Sequence, residues 1–178
     1  NGEAIRLDLW ATANITPIRI VSGSNTKDII VNDVWKEKAY YTAGSTTMTI
    51  YGDLKRFDCR GNGAKITALD VSHSPELETL LCHGNRISSL DVSKNPKLTT
   101  LHCHGNNLST QALDDIFCAL PDRTGNTNGV IRPVYNSSSP DIAAVLATNA
   151  QNAIAKNWKV QYYDGGADIP ATTGTYTC

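Results

Sequence analysis

The chain has almost no net charge: 16 Lys and Arg meet 17 Asp and Glu, for a formal charge of −1. With neither sign in excess, no global field draws it toward nucleic acid or an anionic membrane surface. It also lacks any run of 18 or more apolar residues, which excludes a membrane-spanning helix. Catalytic signatures are missing too. There is no Gly-rich phosphate loop, no nucleophile elbow and no metalloprotease helix motif, so the residues support neither an enzyme nor a cofactor. No methionine or apolar targeting segment precedes Asn1, which reads as a trimmed or mature chain. At 178 residues the length suits one domain, or one core with small caps.

What the sequence does have is a repeat. Leu77, Leu80, Cys82, Asn85 and Ile87 recur 21 residues later as Leu98, Leu101, Cys103, Asn106 and Leu108. Leu69, Asp70, Val71 and Ser72 recur at the same offset as Leu90, Asp91, Val92 and Ser93. An earlier copy begins at Leu54, 23 residues upstream, with Gly63 and Ala64 reading as a two-residue insertion. The shared template, L-x-x-L-x-C-x-x-N-x-L, resembles the leucine-rich repeat signature with cysteine in the third apolar slot.

Each copy predicts a short strand with its leucine and cysteine turned inward. Cys59, Cys82 and Cys103 then stack as small apolar residues on parallel strands, an arrangement unsuited to disulfides and to nucleophilic work. Asn62, Asn85 and Asn106 stack as well, and their amides must bond backbone groups of neighbouring turns to offset burial. Pro75 and Pro96 help turn the chain back. Cys118 and Cys178 lie outside this ladder. They can bond to each other or remain free thiols, so cysteine usage leaves the redox compartment open.

The flanks predict an α/β architecture. Residues 1–52 read as an N-terminal β cap, with strand patterns at 4–9, 18–21, 28–31 and 47–50 separated by turn residues. A separate ligand-binding β-domain is the alternative for this segment. Residues 53–108 hold the repeats, and three rungs need caps at both ends. Residues 109–163 read as a C-terminal helix and βαβ cap. Ser109 or Thr110 caps a first helix bearing Leu113, Ile116, Phe117 and Leu120, with Asp114 and Asp115 near its start and Pro121 closing it. A strand over 130–136 follows, with Asn136 imitating Asn106. A second helix opens at Ser139 and Pro140 and carries Ile142, Val145, Leu146, Ala150, Ala153 and Ile154. A last strand covers 158–163, and a right-handed crossover joins it to the parallel sheet. Residues 164–178 read as a loose tail or linker.

The outward positions of the three rungs form three columns. The first is Arg56, Thr79 and Thr100. The second is Asp58, Leu81 and His102, which Arg132 extends. The third is Arg60, His83 and His104. Neighbours lie roughly 4.8 Å apart across strands and roughly 6.6 Å apart along them. The candidate ligand-binding residues are therefore Arg56, Asp58, Arg60, Leu81, His83, His102, His104 and Arg132. Three imidazoles on one patch (His83, His102 and His104) also raise a divalent metal site, against the plainer reading of a polar face with a duplicated slot. As an Arg and His surface the patch suits a protein carboxylate or a sulfated glycan, and is expected to bind more strongly as pH falls. Three rungs alone offer less than the roughly 800 Å² per partner of a standard interface.

The text from Leu69 to Ser109 resembles the repeats of Bacteroidetes leucine-rich repeat surface proteins related to the internalin and BspA types. The cysteine is similar to the ladder of internalin-J-type repeats. The resemblance covers residues 47–163 most specifically. It implies a short right-handed solenoid and a secreted or outer-surface protein. Its work would be binding, in adhesion or host interaction, with a protein or glycan ligand on the strand face. It brings no shared catalytic residues. The chain is expected to be a monomer, and a structural spacer within a larger surface protein is the alternative function.

Overall fold

A computed structural model describes residues 4–33, 39–45 and 47–178; the rest of the 1–52 segment lies outside the described residues. The described residues are mixed α/β and build two sheets. β1 (Ala4–Ala11), β2 (Thr16–Ser22), β3 (Asn25–Val31), β4 (Ala39–Thr42) and β5 (Thr47–Tyr51) come first. The repeats supply β6 (Leu54–Asp58), β7 (Ala68–Asp70), β8 (Thr79–Leu81) and β9 (Thr100–His102). Then follow α1 (Thr110–Ala119), β10 (Gly129–Val134), α2 (Ile142–Leu146), α3 (Gln151–Ile154) and β11 (Trp158–Tyr162).

The repeat period puts β6, β8, β9, β10 and β11 side by side in that order, all parallel. Backbone bonds such as Cys59 N to Leu81 O and Cys82 N to His102 O carry the ladder past the strand ends. Phe57, Leu80 and Leu101 turn inward with Cys59, Cys82 and Cys103, all at most 1 % exposed. The three thiols are free, and burial pushes that of Cys82 up to about 12. The glycines after His83 and His104 turn the chain in a left-handed conformation (φ +68° at Gly84 and +62° at Gly105), which a side chain would strain.

The asparagine stack forms as the pattern predicts. Asn85 Nδ2 donates to Cys59 O and Cys82 O, and Asn106 Nδ2 donates to Cys82 O and Cys103 O. Asn62 instead closes on β1, exchanging bonds with both the N–H and the carbonyl of Arg6. A second buried amide lies on the far side of the repeats, where Asn95 Nδ2 donates to Val71 O and Ser74 O. Asn85→Ala strips donors from two buried carbonyls, so we expect a loss of about 2–3 kcal/mol in urea unfolding, while exposed Asn107→Ala stays near zero. Equal losses in the two variants would refute a structural role for the stack.

β1 pairs antiparallel with β6, Asp8 opposite Asp58, so the repeat sheet continues through β1 to β4 and counts seven strands. β3, β2, β5 and β7 form the second sheet. One apolar cluster joins Ile5, Leu7, Ile20 and Ile50 to the repeat leucines and to Phe117, Trp158 and Val160.

Beyond the repeats the structure keeps α1 and departs from several expectations. Ser109 Oγ accepts the Ala112 N–H as N-cap, and Lys156 Nζ donates to the carbonyls of Phe117 and Leu120 at the other end, where the helix dipole favours a cation. Asp114, expected near the helix start, is 4 % exposed and accepts the Asn149 N–H. That bond fixes a turn at 147–150, which splits the expected single helix into α2 and α3. Ser139 does not cap α2, because its hydroxyl accepts the Asn136 N–H, and Asn136 closes its own turn instead of extending the asparagine stack. The expected loose tail is packed. Ile169 N bonds Val160 O, Thr173 N bonds Leu146 O, and a Cys118–Cys178 disulfide anchors the last residue. Gly174 passes so close to the α2–α3 turn that a Cβ would lie 2.4 Å from Ala147 O.

Candidate binding face

The outward columns align as the repeat offset requires. Arg56, Thr79, Thr100 and Val130 are register partners, as are Asp58, Leu81, His102 and Arg132. In the third column the His83 and His104 rings stack with centroids 4.3 Å apart and planes at 17°. All eight sequence-predicted residues thus gather on one face of the seven-stranded sheet.

Two of them are not accessible. Asp58 is 2 % and Leu81 4 % exposed, so neither offers a ligand a side chain, contrary to expectation. Asp58 sinks because arginines lie over it: Arg56 Nη2 and Arg60 Nε approach Oδ2 at 3.6 and 3.5 Å. Across the strand boundary Arg6 Nη2 meets Asp8 Oδ2 at 3.1 Å. Arg6 and Asp8 therefore belong to this face, though they precede the repeats. Their alternation with Leu7 and Leu9 shows that they share a side, but nothing in the period says that β1 joins the first rung.

The repeat pattern also misses the two tyrosines. Tyr163, just after β11, reaches back over the imidazoles, with its ring centroid 4.4 Å from His104 and 5.4 Å from both His83 and His102. Tyr135 lies beside it at 5.6 Å with its rings inclined by 32°, and remains 48 % exposed. The Arg132 guanidinium sits 5.7 Å from the Tyr163 centroid, within range for cation–π attraction.

This cover changes the electrostatics. Burial, then the neighbouring Arg132 and the other imidazoles, pushes His102 down to about 3. Burial and His83 push His104 down to about 4, and burial and Arg60 also lower His83. Arg132 Nη1 lies 3.2 Å from His102 Nε2; a guanidinium can only donate, so that nitrogen accepts and the ring is neutral. The imidazoles are aromatic surface at neutral pH. The expected gain of positive charge under mild acid does not occur at His102 and His104.

Nor do the histidines converge on a metal. Among the described residues no group of three His, Cys, Asp or Glu is placed to hold one. Two of the rings face each other, and the third spends Nε2 on Arg132. Among the described residues no helix is long and apolar enough to cross a membrane.

Residues 75–116 match the family model described as leucine rich repeats in two copies. This segment carries leucine-rich repeats, a repeat type that commonly mediates protein binding. No curated protein and no solved structure matches the chain.

Proposed function

We propose that the chain is a non-catalytic binding module that recognises a protein through the outward face of its seven-stranded sheet. In this reading the repeats form a short right-handed solenoid between a β cap and a helical cap, as in internalin- and BspA-like bacterial surface proteins. The observation that carries it is the composition of the face: tyrosines and arginines, residue types enriched in binding hot spots, crowd around the imidazoles. Breadth supports it. Seven strands at about 4.8 Å span about 29 Å, against about 10 Å for three rungs alone, so the flanking strands widen the face available to a partner.

The Cys118–Cys178 bond favours a secreted or outer-surface location, because such bonds persist in oxidising compartments. The module acts as a monomer in adhesion or host recognition. Screening the protein against arrays of host proteins and glycans tests the reading. We expect protein hits that weaken by about tenfold or more in Arg60→Glu, which places an acid beside Asp58. No hits, or hits indifferent to Arg60→Glu, would remove the strand face as the site. Hits among glycans alone would replace the protein partner.

A further inference from the structure

We infer that the partner is an acidic protein surface, with an extended carboxylate-bearing segment seated on Tyr135 and Tyr163 and its acids on Arg60 and Arg132. This rests on the strand-face reading and adds the chemistry of what binds there.

Charge carries the inference first. Four guanidiniums (Arg6, Arg56, Arg60 and Arg132) and the ammonium of Lys159, in register with outward Val130, share the face with two carboxylates, Asp8 and Asp58, a local +3 on a chain of net −1. The two signs are also layered. The side chains of Asp8 and Asp58 are 5 % and 1 % exposed, while those of Arg6, Arg56 and Arg60 are 35, 27 and 38 % exposed. An approaching partner meets the guanidinium layer. Each planar fork can take a carboxylate through two parallel hydrogen bonds.

Aromatic placement carries it second. Tyr135 is exposed beside Tyr163, and Tyr163 bridges from Arg132 to the histidine pair. A ligand chain crossing this region meets apolar ring surface between two cations. That alternation fits a peptide in which acids flank an aromatic or aliphatic anchor. Hollows of about 860, 290 and 450 Å³ lie elsewhere, and none is lined by either tyrosine or by these four arginines. An open face of this kind suits a protein surface better than an enclosed small ligand.

Fluorescence anisotropy with three probes tests this. The probes are a labelled peptide alternating Glu and Tyr, its Lys and Tyr counterpart, and heparin as the sulfated glycan. The acidic peptide is expected to bind about tenfold or more tighter than the basic one, and to weaken as salt screens the contact. Arg60→Glu should weaken it by about tenfold and Tyr135→Ala by about fivefold. Tyr135 is exposed at 48 %, so its truncation should leave the fold intact, which a thermal melt checks. Equal binding of the two peptides, indifference to both variants, or binding of heparin without the acidic peptide would each overturn the inference. If array hits still vanish in Arg60→Glu while the acidic peptide shows no preference, the partner chemistry fails and the strand-face site stands.

Discussion

Replacing Cys118 and Cys178 together by serine is expected to lower the thermal midpoint by about 8–16 °C and to free the amides of residues 168–174 for hydrogen exchange. The bond closes a loop of 60 residues, and removing that constraint from the unfolded chain is worth about 4 kcal/mol in the chain-entropy account. The loop contains β10, both short helices and β11, so the whole C-terminal part of the molecule feels its loss. Locally the bond matters because little else is apolar. Residues 172–176 are held mainly by polar contacts, among them Ala150 N to Thr172 Oγ1, Gly174 N to Thr148 O and Asn149 Nδ2 to Tyr176 O. Such exposed bonds each contribute about 1 kcal/mol at most, so an untethered tail frays. Thiol counting supplies a check. Three thiols should react only after denaturation, since Cys59, Cys82 and Cys103 are buried. An unchanged midpoint with the tail amides still protected would show that the disulfide is incidental.

The same tail shows why part of this fold was illegible beforehand. Sequence periodicity reports apolar burial, and a Thr-rich segment held by backbone bonds and one cross-link has no apolar rhythm to report. The repeat sits at the other extreme. Its 21-residue offset alone brings Leu80 over Leu101, Cys82 over Cys103 and Asn85 over Asn106, because parallel strands of equal rungs have only one register that buries all three. The outward columns came with it, and so the histidine cluster was readable. What covers that cluster was not, for Tyr163 lies outside the repeat, and Arg6 and Asp8 reach the face through an antiparallel pairing that no period encodes. The missing cover explains the misjudged property of the site. Read as solvated, the imidazoles looked ready to charge as pH falls; packed under a tyrosine and beside guanidiniums, all three are held below the usual imidazole range.

Acid should therefore destabilise the protein well before its carboxylates protonate. His102 and His104 take up protons near pH 3 and 4 in the fold, against about 6.5 for a free imidazole, and His83 is lowered as well. The sign follows from where protons prefer to bind. Above pH 6.5 both folded and unfolded chains keep these rings neutral, and stability is unaffected. Below it the unfolded chain binds protons that the folded chain refuses, so stability falls with pH and levels off only near pH 3–4. Without screening, each unit of pH would cost about 1.4 kcal/mol per imidazole. Part of the cluster faces solvent, so we halve this and expect a loss on the order of 2 kcal/mol at pH 5 from His102 and His104 together. Urea unfolding at pH 7 and at pH 5 measures it, with a His102→Gln/His104→Gln variant as the comparison. The variant should show a flatter dependence in that window, whatever its stability at pH 7. The structural cause is separable too. Tyr163→Ala uncovers all three rings, so their proton NMR titrations should move up toward 6.5. If His102 already titrates near 6.5 in the unaltered protein, or if the double variant keeps the full acid slope, the neutral and covered state of the cluster is wrong.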